Sequence, residues 1–171
     1  MLIIIFLAEI GLSANLVVDK EAASSFANIQ AAINAARPGD TIEVHGGLYA
    51  EDVFVNKSLT ILGKAHPVID VGGKGSPITL SGTNITIEGF VLKNSGGAPG
   101  IDIIGSTYYI TNNIIKNNTI NNCSYGIRLD SADSNKILGN TITLSGDGIL
   151  LEDSDGNNIS NNHLLDNTNG I

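Results

Sequence analysis

The residues of this chain that could do chemistry are mostly carboxylates, with few bases beside them. Residues 126–171 hold Asp130, Asp133, Asp147, Glu152, Asp153, Asp155 and Asp166, against only Arg128 and Lys136. Asp102 and Arg128 each follow a Gly-Ile pair, Gly100-Ile101 and Gly126-Ile127. If those pairs mark equivalent places in a repeat, a carboxylate stands beside a guanidinium. Such a pair can bind a uronate, position a water, or form an ordinary surface salt bridge that contributes little. Tyr108, Tyr109 and Tyr125 offer rings that stack on sugars, or that pack at turns. Glycoside hydrolysis needs two carboxylates across the scissile bond, and Asp102, Asp130 and Glu152 are the candidates if they converge with Arg128.

Metal chemistry has less to work with. His45, His66, His163, Cys123 and Met1 show no pair at ligand spacing, whereas copper requires such soft donors to converge. Asp153-Ser154-Asp155-Gly156-Asn157 gathers hard oxygen donors that suit calcium. It lacks the glycine position and terminal glutamate of a helix-loop-helix calcium loop, so a solvated turn is the expectation and no cofactor is expected. Cys123 stands alone, which excludes an internal disulfide and a Cys-x-x-Cys motif. The net charge of −8 provides no basic stripe for nucleic acid and disfavours an anionic membrane surface.

The elements that must position these groups are read from a repeat of 22 residues. Ile115, Ile137 and Ile159 keep that step, as do Asn118, Asn140 and Asn162, and Asn113, Asn135 and Asn157. Gly126-Ile127, Gly148-Ile149 and Gly170-Ile171 keep it too. A period of 20–30 residues rich in Asn, Gly and β-branched residues marks a β-solenoid. The asparagine columns are expected to be structural ladders, each amide bonding a local backbone group and its equivalents above and below. Upstream the register loosens: Ile87-x-x-Phe90-x-Leu92 matches Ile115-x-x-Asn118-x-Ile120 after a coil of 28 residues. Thr60–Leu62 with Pro77–Leu80, and Thr41–Val44 with Val53–Val55, give earlier coils, about five and a half in all.

Residues 26–36 carry apolar side chains at helical spacing, with Ser24 or Ser25 as the expected N-cap. Arg37-Pro38-Gly39-Asp40 ends the helix, which is placed to cover the open end of the stack. The domain reading is residues 1–14 as a truncated signal peptide, 15–40 as an N-terminal cap, and 41–171 as coils. The chain stops at Gly170-Ile171 within a coil, so a fragment of a longer protein is expected. The apolar run Leu2–Leu7 is too short to span a bilayer, and no membrane insertion of the mature domain is expected. Five Asn-x-Ser/Thr triplets begin at Asn56, Asn84, Asn117, Asn122 and Asn158; those near the ladder columns are expected to be buried.

Four segments carry a family resemblance: Ile29-Gln30-Ala31-Ala32-Ile33, Pro38-Gly39-Asp40-Thr41-Ile42, Gly47-Leu48-Tyr49-x-Glu51 and Asn56–Gly63. With the Asn-rich repeats, they resemble right-handed parallel β-helix proteins of the NosD-type and pectin-lyase-like group. The resemblance implies an all-β, single-stranded right-handed β-helix with a short capping helix. It also implies an extracellular or cell-surface location, with the periplasm as the alternative. The implied partners are a polysaccharide or cell-surface glycan and further β-helix coils. The motifs of polygalacturonases, pectin methylesterases and alginate epimerases are absent. The functional expectation is therefore a non-catalytic structural or adhesive module, against a polysaccharide-active enzyme and a copper-handling accessory.

Overall fold

A computed structural model describes residues 12–22, 25–105 and 110–171. The polypeptide winds into a solenoid of parallel strands. β1 (Asn15–Val18) precedes the helix α1 (Ile29–Ala35). Five coils of three strands follow: β2 (Thr41–Val44), β3 (Leu48–Tyr49) and β4 (Val53–Val55); β5 (Thr60–Gly63), β6 (Val68–Asp70) and β7 (Ile78–Leu80); β8 (Thr86–Glu88), β9 (Val91–Lys93) and β10 (Pro99–Ile104); β11 (Ile114–Lys116), β12 (Thr119–Asn121) and β13 (Tyr125–Asp130); β14 (Lys136–Leu138), β15 (Thr141–Thr143) and β16 (Asp147–Glu152). β17 (Asn158–Ser160) and β18 (His163–Leu165) begin the next. Corresponding strands stack into a first face of seven strands, β1-β2-β5-β8-β11-β14-β17, a second of six and a third of five. Seven strands at about 4.8 Å give a rod of about 29 Å.

β1 falls outside the coils expected from the repeat. It pairs with β2 from Asn15↔Thr41 to Val18↔Val44, so the solenoid starts ahead of the helix and reaches about six turns rather than five and a half. The apolar run at Leu2–Leu7 lies outside the described residues.

The strands are short because each face needs only one or two inward side chains. On the first face Leu16, Ile42, Ile61, Ile87, Ile115, Ile137 and Ile159 stack in register. On the second, Tyr49, Ile69, Leu92, Ile120, Ile142 and Leu164 do so. The third face contributes two columns, Val53-Ile78-Ile101-Ile127-Ile149 and Val55-Leu80-Ile103-Leu129-Leu151. Most are fully buried, and each stabilises the fold by about 1.5–3 kcal/mol. A narrow bore filled by aliphatic columns explains a core with few aromatic rings.

The corners explain the asparagines. From the coil of β8 onward, each of the three corners places a left-handed residue just before an inward one. One corner column is Asn84, Asn112, Ser134 and Gly156, with φ of 56, 60, 55 and 67°. The next is Gly89, Asn117, Gly139 and Asn161, with φ of 83, 55, 62 and 57°. The third is Asn94, Asn122, Leu144 and Asp166, with φ of 60, 54, 53 and 54°. Asn, Asp and Gly tolerate this region best. In Asn112-Asn113, Asn117-Asn118 and Asn161-Asn162 the first Asn makes the turn and the second makes the ladder.

The ladders join side chain to backbone more than amide to amide. Asn135 Oδ1 accepts the Asn113 N–H at 2.9 Å, and Asn157 Oδ1 accepts the Asn135 N–H at 2.8 Å. Asn140 and Asn162 treat Asn118 and Asn140 likewise, at 3.0 and 2.9 Å. Each Nδ2 donates to a carbonyl of the preceding coil, as Asn140 does to Ile115 at 2.9 Å. Of the two ladders, the Asn118-Asn140-Asn162 column carries amide-to-amide bonds, at 3.1 and 3.0 Å, and at the third corner Asn122 Nδ2 donates to Asn94 Oδ1 at 2.8 Å. Phe90 needs no amide, because its N–H donates to Asn118 Oδ1 at 3.0 Å. Asn167 extends the same device to the third corner by accepting the Ser145 N–H at 2.9 Å.

The helix is shorter than its apolar pattern, and its N-cap is Asn28, whose Oδ1 accepts the Ala31 N–H at 2.7 Å. Ser25 instead donates to the carbonyls of Asp19 and Ala22, and Ser24 lies outside the described residues. Phe26 forms a bridge with Val18 rather than a helical turn. α1 packs on β1, β2 and β4 with Ile29, Ala32 and Ile33 buried.

Candidate functional site

The N-terminal end is sealed by polar groups that explain the resemblance motifs. Glu51, just past β3, accepts the Ile29 and Gln30 N–H groups at 2.9 and 3.1 Å. The side-chain amide of Gln30 bonds both backbone groups of Phe54, accepting at 2.8 Å and donating at 3.2 Å. It occupies the free edge of β4 as one more strand residue would, which blunts that edge. Lys57 donates to the Ala36 carbonyl at 2.9 Å and closes the helix C-terminus. Asp40 accepts from Ala14 at 2.8 Å and Arg37 at 2.7 Å, and these two N–H groups hold its carboxyl below the usual carboxylate range. Sequence reasoning missed these roles.

On the third face the central outward column runs Phe54, Thr79, Asp102, Arg128 and Leu150. Asp102 lies at the middle of β10 and is nearly buried, at 6% exposure. Arg128 stands directly across on β13. Its Nε donates to Asp102 Oδ1 at 2.8 Å and its Nη2 to Oδ2 at 3.2 Å, the forked geometry favoured between guanidinium and carboxylate. Nη1 lies 3.5 Å from Glu152 Oε2. Glu152 reaches Arg128 from the end of β16, where it pairs with Asp130. Hydrogen bonding to Asp102 raises the guanidinium pKa further above its ordinary value, although burial opposes this. Arg128 is therefore a permanent cation held rigidly between two coils. Of its five N–H donors, two are hydrogen-bonded to Asp102, while Nη1 meets Glu152 as an ion pair.

The remaining candidates fall elsewhere. Tyr125 opens β13, half-buried, with Pro99 and Asp147 as its register neighbours. It lies three residues, about 10 Å of strand, from Arg128. Tyr108 and Tyr109 lie outside the described residues. The Asp153–Asn157 turn is tied into the preceding coil: Ser154 Oγ accepts the Ala132 N–H at 3.0 Å, and Asp133 Oδ1 accepts the Asp155 N–H at 2.7 Å. Among the described residues no three His, Cys, Asp or Glu side chains are grouped to hold a metal ion. His163 continues the outward column of Thr119 and Thr141, while His45 bonds Asp19 at 2.9 Å. Cys123 is buried at the third corner in a column with Ser95 and Ser145, and burial pushes its thiol pKa up, the opposite of a reactive cysteine. A cleft of about 460 Å³ lies beside the turn Ala50–Asp52 and Asp70–Gly72, away from the column of Asp102 and Arg128.

Known proteins resemble this chain over different spans. A curated relative, the cell surface glycoprotein of Methanothermus fervidus, is 37% identical over 107 residues. The match covers 59% of this chain, which spans 17% of that protein's length. Among solved structures, a pectin methylesterase mutant in complex with a hexasaccharide aligns over 83% of this chain and 67% of its own, with a TM-score of 0.48 and 14% identity. A second pectin methylesterase–hexasaccharide complex gives 0.44 and 15% over the same shares. No helix among the described residues is long and apolar enough to cross a membrane. Residues 60–171 match the family described as the right handed beta helix region, and the chain belongs to that family.

Proposed function

We propose that this chain is a rigid, non-catalytic module of a cell-surface protein, and that its third face binds carbohydrate. The observation that carries the surface reading is the 37% identity to a cell surface glycoprotein. The fold suits the role. Columns of buried aliphatic residues and backbone-bonding asparagines make a stiff rod with little conformational freedom to lose on binding. The N–H donors of Arg128 not bonded to Asp102 are suited to a uronate carboxylate, and exposed Phe54 lies in the same column. Further coils or domains of a longer chain are the natural neighbours of such a module.

A glycan array probed with the folded chain tests the binding claim, run beside reducing-sugar and unsaturated-uronate assays on acidic polysaccharides. Binding to acidic glycans that Arg128→Ala abolishes, without product release, is the expected result. The approach of both Asp102 and Glu152 to Arg128 favours one competing reading, a polysaccharide-active enzyme. Product release lost in Asp102→Ala would establish that reading in place of ours. Silence in every assay would leave a purely structural spacer.

A further inference from the structure

All five Asn-x-Ser/Thr asparagines are exposed: Asn56, Asn84, Asn117, Asn122 and Asn158. This reverses the expectation that those near the ladders are buried, and the corner geometry supplies the reason. In Asn84-Ile85-Thr86, Asn117-Asn118-Thr119 and Asn122-Cys123-Ser124 the middle residue is the inward one, and it is buried. The asparagine before it is the left-handed corner residue, with φ of 56, 55 and 54°. The hydroxyl residue after it leaves the corner on the outer side. The turn that buries the ladder position therefore turns both recognition groups of the triplet outward.

Among the five, Asn117-Asn118-Thr119 is the most open, since Asn117 and Thr119 are both exposed. By contrast Ser58, the hydroxyl partner of Asn56, is partly buried and donates to the Thr83 carbonyl at 2.8 Å. Asn117 Nδ2 donates a single bond, to Glu88 Oε1 at 3.1 Å. An amide nitrogen carries two protons, so one remains for substitution while the other keeps Glu88. None of the five asparagines lies on the third face, between β4 and β16. Sugar at the corners would thus leave the face of Asp102 and Arg128 bare.

We propose that the exposed corner triplets, led by Asn117-Asn118-Thr119, are acceptor sites for N-linked glycans. The donor class is a lipid-linked oligosaccharide phosphate or pyrophosphate. A bond forms from Asn117 Nδ2 to the anomeric carbon. The anomeric C–O bond to phosphate breaks, and the lipid phosphate leaves with its electron pair. The amide nitrogen gives up one proton. Occupancy in the native cell rests on the surface reading above, because only an exported chain meets such donors.

The test is secretion of the full chain behind a yeast secretion signal, followed by glycopeptide mass spectrometry. At least half of the Asn117 peptide is expected to carry oligosaccharide. Thr119→Val removes it there while leaving the other sites and the urea midpoint unchanged, and Thr119→Ser keeps it. A folded, secreted chain with Asn117 unmodified would overturn the proposal. Protease shaving of the cells that make this chain naturally reads the surface assignment by itself. Occupied Asn117 in yeast combined with a chain that resists shaving would count against that assignment alone.

Discussion

Asn140 is the sharpest place to test whether the ladders hold the coils together. Its side chain is fully buried. Oδ1 accepts the Asn118 N–H at 3.0 Å, and Nδ2 donates to the Ile115 carbonyl at 2.9 Å. Asn140→Ala removes both partners and leaves two backbone groups in the core without replacements. At about 1–3 kcal/mol for each orphaned group, the loss is about 2–6 kcal/mol. That is a large part of the roughly 5–15 kcal/mol that stabilises a typical domain. Asn140→Leu fills the space but leaves the same orphans, so it separates lost hydrogen bonds from lost volume. Urea unfolding followed by circular dichroism should show a midpoint lowered by about 0.7–2 M for Ala, taking a slope near 3 kcal/mol per M. Leu should recover only part of it. Amide exchange adds a local reading: the Asn118 N–H, protected in the parent chain, should exchange faster in both variants. The outward neighbour Thr141→Ala should stay within about 0.5 kcal/mol. If Asn140→Ala behaved like Thr141→Ala, with Asn118 still protected, the ladder would not be satisfying the backbone and the reasoning would fail.

Three further outcomes follow from the same geometry. Leu144 is the one residue other than Asn, Asp or Gly in its corner column, with φ 53° and 63% exposure; Leu144→Asn or Leu144→Gly should raise thermal stability by about 1 kcal/mol, since the left-handed region costs other residues roughly 1–2 kcal/mol. A side chain on Gly126 would put its Cβ 2.3 Å from Ile142 Cγ2 and 2.5 Å from the Gly148 carbonyl, so Gly126→Ala should destabilise by about 1–3 kcal/mol or more, read by the urea midpoint. The Asp40 carboxyl has its folded pKa depressed, first by the Ala14 N–H and then by the Arg37 N–H. Its stabilisation is therefore present above the unfolded value near 3.9 and lost as pH falls through the folded one. Asp40→Asn should lower stability at pH 7 and flatten the acid limb of a stability–pH curve.

The repeat was enough to give the fold, because a parallel stack forces equivalent residues into columns. A step of 22 residues in Ile, Asn and Gly can be met in space only if each copy lies on the last. The same logic puts Asp102 beside Arg128 from spacing alone, and their register across β10 and β13 agrees. What the sequence could not decide was which side of a corner each asparagine takes. Asn117 and Asn118 are adjacent and identical, yet one is exposed and the other buried. Only the left-handed turn, which reverses the chain's outward and inward sense within one residue, separates an acceptor for sugar from a rung of the ladder. The N-terminal seal was hidden for a related reason. Gln30 and Glu51 act on backbone groups 24 and 22 residues away, and a backbone donor or acceptor carries no signature in the sequence. The third member of the Arg128 cluster, Glu152, shows the same limit: its approach across β13 and β16 depends on a side-chain angle that only the packed coils set.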